Sequence, residues 1–216
     1  MKTINAKTKD LKLTNQALQE SVNGHPVVIN NADALNGLAA GLKHGQVIIE
    51  GSAGDYLGVL NDGATIHVTQ NVGKYLADNM TQGTIIVDGD AQYGPGQYCY
   101  GGTIVIRGDA GDFTATMNKG ATIIVGGNVG DEVGTYMLKG NLIILGNAGK
   151  NLANYLIRGS IYIGGIWESL GHNTLVAALT SEDTARLQAY FETYQIEADS
   201  GSFKKIIAAS EKPFYN

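Results

Sequence analysis

Asp109, Asp112 and Asp131 are the residues of this chain that most resemble a reactive set. Carboxylates on one outer edge could act as the acid pair of a glycosidase, or with Asp90 as oxygen ligands for a hard cation such as calcium. The column Ser52, Asn71, Asp90, Asp109, Asn128 and Asn147 holds only two carboxylates. Three places on, Asp55, Lys74, Tyr93, Asp112, Asp131 and Lys150 mix signs, which spoils a cage of converging oxygens. The favoured reading is a solvated acidic edge, with a ligand site in the outer groove of a self-standing enzyme or binding solenoid as its alternative.

Other reactive types are dispersed. His25, His44, His67 and His172 are far apart in the sequence, so a metal site is not expected. Cys99 is the only cysteine, which excludes an internal disulfide and a thiolate cluster, and it is expected inside a wall as a small hydrophobe. The glycine-rich turns each follow a strand and lead into another turn. A phosphate cradle needs glycines that open a helix, so these are read as corners.

The element that positions all of these groups is a repeat. Written in lines of nineteen, the sequence places Val47, Ile66, Ile85, Ile104, Ile123, Leu142 and Ile161 in one column. Two places on stand Ile49, Val68, Val87, Ile106, Val125, Ile144 and Ile163. A fixed period with one apolar pair per unit is the mark of a solenoid in which each coil covers the next. Alternation puts both columns on the inner side of a short strand.

The glycines Gly51, Gly89, Gly108, Gly127, Gly146 and Gly165 mark corners, where positive φ is expected, and the adjoining Asx column is expected to bond its local backbone. The small column Ala53 to Ala148 and the alternating Gly58, Ala77, Gly96, Ala115, Gly134 and Ala153 mark close approaches. A weaker period of 57 relates Ala64-Thr65-Ile66 to Ala121-Thr122-Ile123.

Between the inner columns, Ile48, His67, Ile86, Val105, Ile124, Ile143 and Tyr162 point outward, and all but His67 are apolar or aromatic. A free surface rarely looks like this, so the chain's own ends or a partner should cover it. Ile48, Ile86, Val105, Ile124, Ile143 and Tyr162 are the candidate partner-contact face.

Residues 1–44 are read as a lead-in and cap, 45–165 as the repeat domain and 166–216 as a C-terminal cap. In the first segment Thr14 or Asn15 is expected to cap a short helix bearing Leu18 and Val22. The stretch from His25 to Asn30 suggests an imperfect strand, and Asp33 a second helix bearing Leu35, Leu38 and Leu42. In the last segment Ile166, Trp167 and Leu170 can cover the final coil. Thr180 or Ser181 caps a helix over about 181–194, with Leu187, Tyr190, Phe191 and Tyr194 on one face, suited to the outward apolar column or to a partner.

Composition limits the partners. The chain has 216 residues, 44% hydrophobic, with 30 glycines and 3 prolines. A net charge of -5 with interspersed signs argues against nucleic acid or an anionic membrane. The first residues show no apolar leader and no window suits a membrane span, so a soluble, cytoplasmic location is expected.

The run Gly101-Gly102-Thr103-Ile104-Val105-Ile106-Arg107-Gly108-Asp109-Ala110-Gly111, followed by Gly120-Ala121-Thr122-Ile123-Ile124-Val125-Gly126-Gly127-Asn128-Val129-Gly130, resembles the Gly-x-Gly-x-Gly domain at the C-terminal end of the glutamate synthase large subunit. The similarity spans about residues 45–165, and the ending Lys212-Pro213-Phe214-Tyr215 is similar to some free-standing members. One of the subunits of formylmethanofuran dehydrogenase is formed by a related domain.

The resemblance implies an all-β solenoid: a right-handed, single-stranded parallel β-helix of about seven coils with short helical caps. It also implies a scaffolding role in glutamate biosynthesis and ammonia assimilation beside amidotransferase-like and FMN synthase-like subunits. The sequence shows no N-terminal nucleophilic cysteine, no barrel for FMN and no cysteine cluster for iron and sulfur. The chain alone is therefore expected to bind no cofactor and to make no glutamate. Three readings stand: a non-catalytic subunit of a split glutamate synthase, a subunit of a formylmethanofuran dehydrogenase complex, or the self-standing solenoid above. A homo-oligomer is compatible with each.

Overall fold

The computed structural model describes residues 2–8, 10–22 and 24–212. Of the ending Lys212-Pro213-Phe214-Tyr215, all but Lys212 lies outside the described residues. Strands β1 (Lys2–Asn5), β2 (Val27–Asn30), β3 (Gln46–Glu50), β4 (Asp62–Val68), β5 (Gln82–Val87), β6 (Thr103–Ile106), β7 (Lys119–Val125), β8 (Lys139–Ile144) and β9 (Ser160–Ile163) pair in parallel in that order. Two further strands, β10 (Thr174–Ala177) and β11 (Lys204–Ala208), close the sheet antiparallel, with β11 lying between β9 and β10. The result is a β-solenoid of about seven turns.

Register follows the sequence columns. Ile66 pairs with Ile85, Ile85 with Ile104 and Ile104 with Ile123, so identical side chains stack on the solenoid axis. Both inner columns are buried, nearly all with no exposure. Each such Ile or Val contributes about 2 kcal/mol by leaving water, and β-branching suits the pleat. A second ladder runs from Ala53 through Val72, Ala91, Ala110, Val129 and Ala148 to Trp167 by single bridges. Trp167 and Leu170 pack on the last coil, whereas Ile166 is exposed.

The solenoid starts before the regular repeat. Val27 pairs with Val47 and Lys2 with Val27, so β1 and β2 extend the same sheet with longer steps between coils. The longer β1-to-β2 step holds helix α1 (Leu11–Ser21). Its N-cap is Asp10, which accepts from the Leu13 N–H, rather than Thr14 or Asn15. Thr14 is buried, while Asn15 bonds Gly37 O and the Ala39 N–H and so fixes α1 to the coil.

No helix starts at Asp33; residues 36–41 form turns. Leu38 belongs to the inward column of Leu57 and Leu76, all buried. Left-handed φ at Ala39 (59°) and Gly41 (62°) excludes a continuous right-handed helix. The same turn recurs in later coils: Tyr56, Gly58 and Leu60 have φ of 58°, 65° and 58°. A non-glycine residue in this region costs about 1 kcal/mol. Bonds between coils offset it, with the Tyr56 N–H donating to Lys74 O at 2.7 Å and the Gly58 N–H to Leu38 O at 2.9 Å.

The 57-residue period also has a structural basis. Strands β4, β5 and β6 have 7, 6 and 4 residues, and β7, β8 and β9 repeat those lengths. Register shifts fall at corresponding places, after Asp62 and after Lys119. Beside them, buried Asn61 and Asn118 bond both the N–H and the carbonyl of Ala64 and Ala121.

Candidate interaction faces

The carboxylates that suggested chemistry are built into the backbone of the next coil. Asp109 Oδ1 accepts the Asn128 N–H at 2.6 Å, Asp112 Oδ1 the Asp131 N–H at 2.8 Å, and Asp131 Oδ1 the Lys150 N–H at 2.7 Å. Asn71, Asp90, Asn128 and Asn147 act alike. Asp and Asn alternate freely because each supplies one acceptor oxygen at this corner, to the coil above rather than to its own turn. Among the described residues, no group of His, Cys, Asp and Glu is arranged to hold a metal.

This bonding also explains the corner glycines, and it corrects the expected cause. Of the six, only Gly51 has positive φ, at 112°. A Cβ on Gly108 would stand 2.1 Å from Asp90 Oδ1, and one on Gly127 2.1 Å from Asp109 Oδ1. Glycine is required there by close approach of the neighbouring Asx side chain. Backbone twist does not demand it.

The histidines stay apart. His67 Nε2 lies 2.8 Å from Asp88 Oδ2, whose other oxygen is 3.3 Å from Arg107 Nε. His172 packs at a tilt against Tyr155 with ring centroids 5.3 Å apart. Cys99 is buried with its thiol on Ala77 O, and burial pushes its pKa up to about 12. Such a thiol is inert as a nucleophile at neutral pH.

The outward apolar column is largely covered by the chain's own end. Helix α2 (Ser181–Tyr194) is capped by Thr180 in a capping box with Asp183. Its Leu187 and Phe191, together with Phe203, form a second core on Val105, Ile124, Ile143 and Tyr162. Those four strand residues are at most 1% exposed. Expected as partner contacts, they cannot reach a partner while α2 lies over them. Ile48, His67 and Ile86 stay partly exposed, although Ile86 also touches the edge of this core.

The clamp on α2 emerges only in three dimensions. Asp183, 3% exposed at its side chain, accepts from Tyr162 Oη at 2.7 Å and from Lys205 Nζ at 2.8 Å. Burial alone would raise its pKa. The Lys205 bond, with those from Thr180 and Tyr162, overcomes that and holds the carboxyl far below the usual range. Burial and the Asp183 bond push the Tyr162 phenol up. The acidic first turn of α2 is a signal visible in the sequence, but Lys205 is distant along the chain.

No helix among the described residues is long and apolar enough to cross a membrane. No curated protein matches the chain. The GXGXG motif family matches residues 37–214, from the first left-handed turn through α2 and β11. With its stacked Gly-Asx corners accounted for coil by coil, the chain belongs to the GXGXG motif family, that of the C-terminal domain of glutamate synthase.

Proposed function

We propose that this chain is the non-catalytic scaffold of a glutamate-synthase-type oxidoreductase, working in the cytoplasm in glutamate biosynthesis and ammonia assimilation beside separate amidotransferase and FMN synthase subunits. Family membership over most of the chain supports the reading. The observation that carries it is the use of the outer-edge carboxylates: Asp109, Asp112 and Asp131 each cap the next coil. A catalytic acid or base needs freedom to meet a substrate, and these groups are tied to backbone N–H donors. A rigid post that holds larger domains in register needs such ties.

The partly open end of the outward column, Ile48 and Ile86 beside the His67–Asp88–Arg107 chain, is the surface assigned to a synthase-type partner. The test is reconstitution of the purified chain with candidate amidotransferase and FMN synthase subunits, read by co-elution and by glutamate formation. Co-elution that weakens in Ile48→Arg and Ile86→Glu is expected. Failure of the purified mixture to associate at micromolar concentrations overturns the assignment, and association with a formylmethanofuran dehydrogenase core instead replaces it.

A further inference from the structure

Tyrosine gathers on another side of the solenoid, the wall made by the left-handed turns. Tyr56, Leu60, Tyr93, Tyr100 and Tyr136 are between 36% and 56% exposed there. The rings interlock along the axis, with centroids 4.8 Å apart for Tyr56 and Tyr75 and 5.2 Å for Tyr93 and Phe113. Where Gly94 interrupts the aromatic column, Tyr93 from the adjoining position fills it. A pre-ordered aromatic surface loses little rotamer entropy on docking, and tyrosine is enriched in interface cores. Helix α2 packs elsewhere, on the strand column.

The two long edges of this wall differ in charge. One coil enters the wall at Asp112 and leaves at Lys119, whose Nζ lies 4.1 Å from the Tyr100 ring centroid. The next enters at Asp131 and Glu132 and leaves at Lys139, which pairs in register with Lys119. We infer that the wall is a homodimer interface on which a second copy of this chain packs with its solenoid axis parallel, about a twofold axis running along both solenoids.

That symmetry keeps each coil level with its own copy and exchanges the two edges. Asp112 then faces Lys119 of the second copy, and Asp131 and Glu132 face its Lys139, each pairing occurring twice. A twofold axis across the solenoids would set acidic edge against acidic edge. Two like-sign pairings remain in the parallel arrangement, Asp55 with Asp62 and Lys150 with Arg158. The second is offset within each copy, where Lys150 lies 3.9 Å from Glu168 and Arg158 2.8 Å from Glu211, while Asp62 accepts from Thr81 and Gln82. Coils spaced by about 4.8 Å make a wall roughly 34 Å long. A stable dimer interface needs about 600 Å² or more per copy, which a wall of that length supplies across the eight residues from Asp55 to Asp62 and their equivalents.

Sedimentation equilibrium of the full chain at micromolar concentration tests this. A dimer is expected for the native chain and a monomer for Leu60→Arg combined with Tyr100→Glu, with unchanged circular dichroism. Lys119→Glu should weaken dimerisation about tenfold at low salt. Adding Asp112→Asn, which keeps the oxygen that caps Asp131 but removes the charge, should restore most of it. A monomeric native chain, a dimeric Leu60→Arg/Tyr100→Glu variant, or a Lys119→Glu variant of undiminished affinity overturns the proposal. Failure of the reconstitution with enzyme subunits leaves it intact, because the two faces are separate.

Discussion

The Tyr162 hydroxyl donates to Asp183 Oδ1 at 2.7 Å, joining the last parallel coil to the first turn of α2. Lys205 from β11 approaches both carboxylate oxygens, at 2.9 and 2.8 Å, and the Thr180 N–H donates to Oδ2. One buried carboxylate thus holds three separate segments over the apolar column. Asp183→Ala leaves the Lys205 ammonium and the Tyr162 hydroxyl without their acceptor, which should loosen the strap by about 3 kcal/mol. Hydrogen exchange is the measurement: amides in 181–208 should lose protection while β4 to β6 keep theirs. Equal protection in both regions would sink the clamp.

Acid should open the same strap. The folded-state pKa of Asp183 is depressed from 3.8, so its contribution is fully present above about pH 4 and is lost as pH falls toward the folded value. The groups facing it are Lys205, Arg186 and the Tyr162 phenol. Burial raises the phenol, while for the guanidinium burial is outweighed by the neighbouring Tyr162 and acidic groups, which raise it. Near-ultraviolet dichroism of Tyr162 and its neighbours should change below pH 4 in the native chain. In Asp183→Asn this step should vanish, and its persistence would assign the transition to other carboxylates.

Asp109 serves as an acceptor oxygen, and its charge is incidental. Asp109→Asn keeps the oxygen that receives the Asn128 N–H and should unfold within about 0.5 kcal/mol of the native chain. Asp109→Ala removes it and should cost about 1 kcal/mol. Calorimetric titration with calcium should give no heat that depends on this residue. A large effect of the Asn substitution on stability, or calcium binding lost with it, would return Asp109 to the reactive groups.

The repeat was legible because both inner columns keep one register from Val47 to Ile163, with no insertion to blur it. It became illegible where the steps lengthen, before Val47, so the coils of β1 and β2 looked like a lead-in. Leu35, Leu38 and Leu42 fit a helix as well as they fit a coil turn. Only the left-handed backbone at Ala39 and Gly41 decides between them, and alanine gives no sign of it. The carboxylate edge was visible as a column, but its bonding was hidden, since a contact to the next coil's N–H leaves no trace in residue type. Cover of the outward column by α2 was one of the alternatives the sequence left open, and the pattern of Leu187 and Phe191 supplied the apolar side.

The alternating glycine and alanine column marks a limit on core volume. A Cβ on Gly96 would stand 2.4 Å from Ile123 Cδ1, whereas Ala77 and Ala115 already occupy left-handed positions in the coils on either side. Gly96→Ala should therefore cost about 3 kcal/mol, about 2 of it by overpacking and about 1 by the left-handed backbone that Ala77 and Ala115 also bear. Adding Ile123→Val, which removes the colliding methyl, should recover more than half of the loss in thermal denaturation. If the double variant were less stable than the single one, backbone conformation would be the cause instead.

Asn118 shares a column with Asn61 and with the apolar Met80, Cys99, Met137 and Leu156, and it is fully buried. Its Oδ1 accepts the Gly120 and Ala121 N–H groups at 3.1 and 2.9 Å, and its Nδ2 donates to Ala121 O at 2.9 Å. These bonds satisfy the backbone where the register of β7 shifts. Leucine has nearly the same shape and suits the column, so transfer energy alone predicts a gain in stability for Asn118→Leu. The stranded backbone groups should outweigh it and cost about 3 kcal/mol. Urea unfolding separates the two: a lower midpoint at unchanged slope is expected, and a raised midpoint would mean the bulge finds other hydrogen-bond partners. The same substitution at Asn61, whose Nδ2 also bonds Gln82 O at 3.2 Å, should cost at least as much.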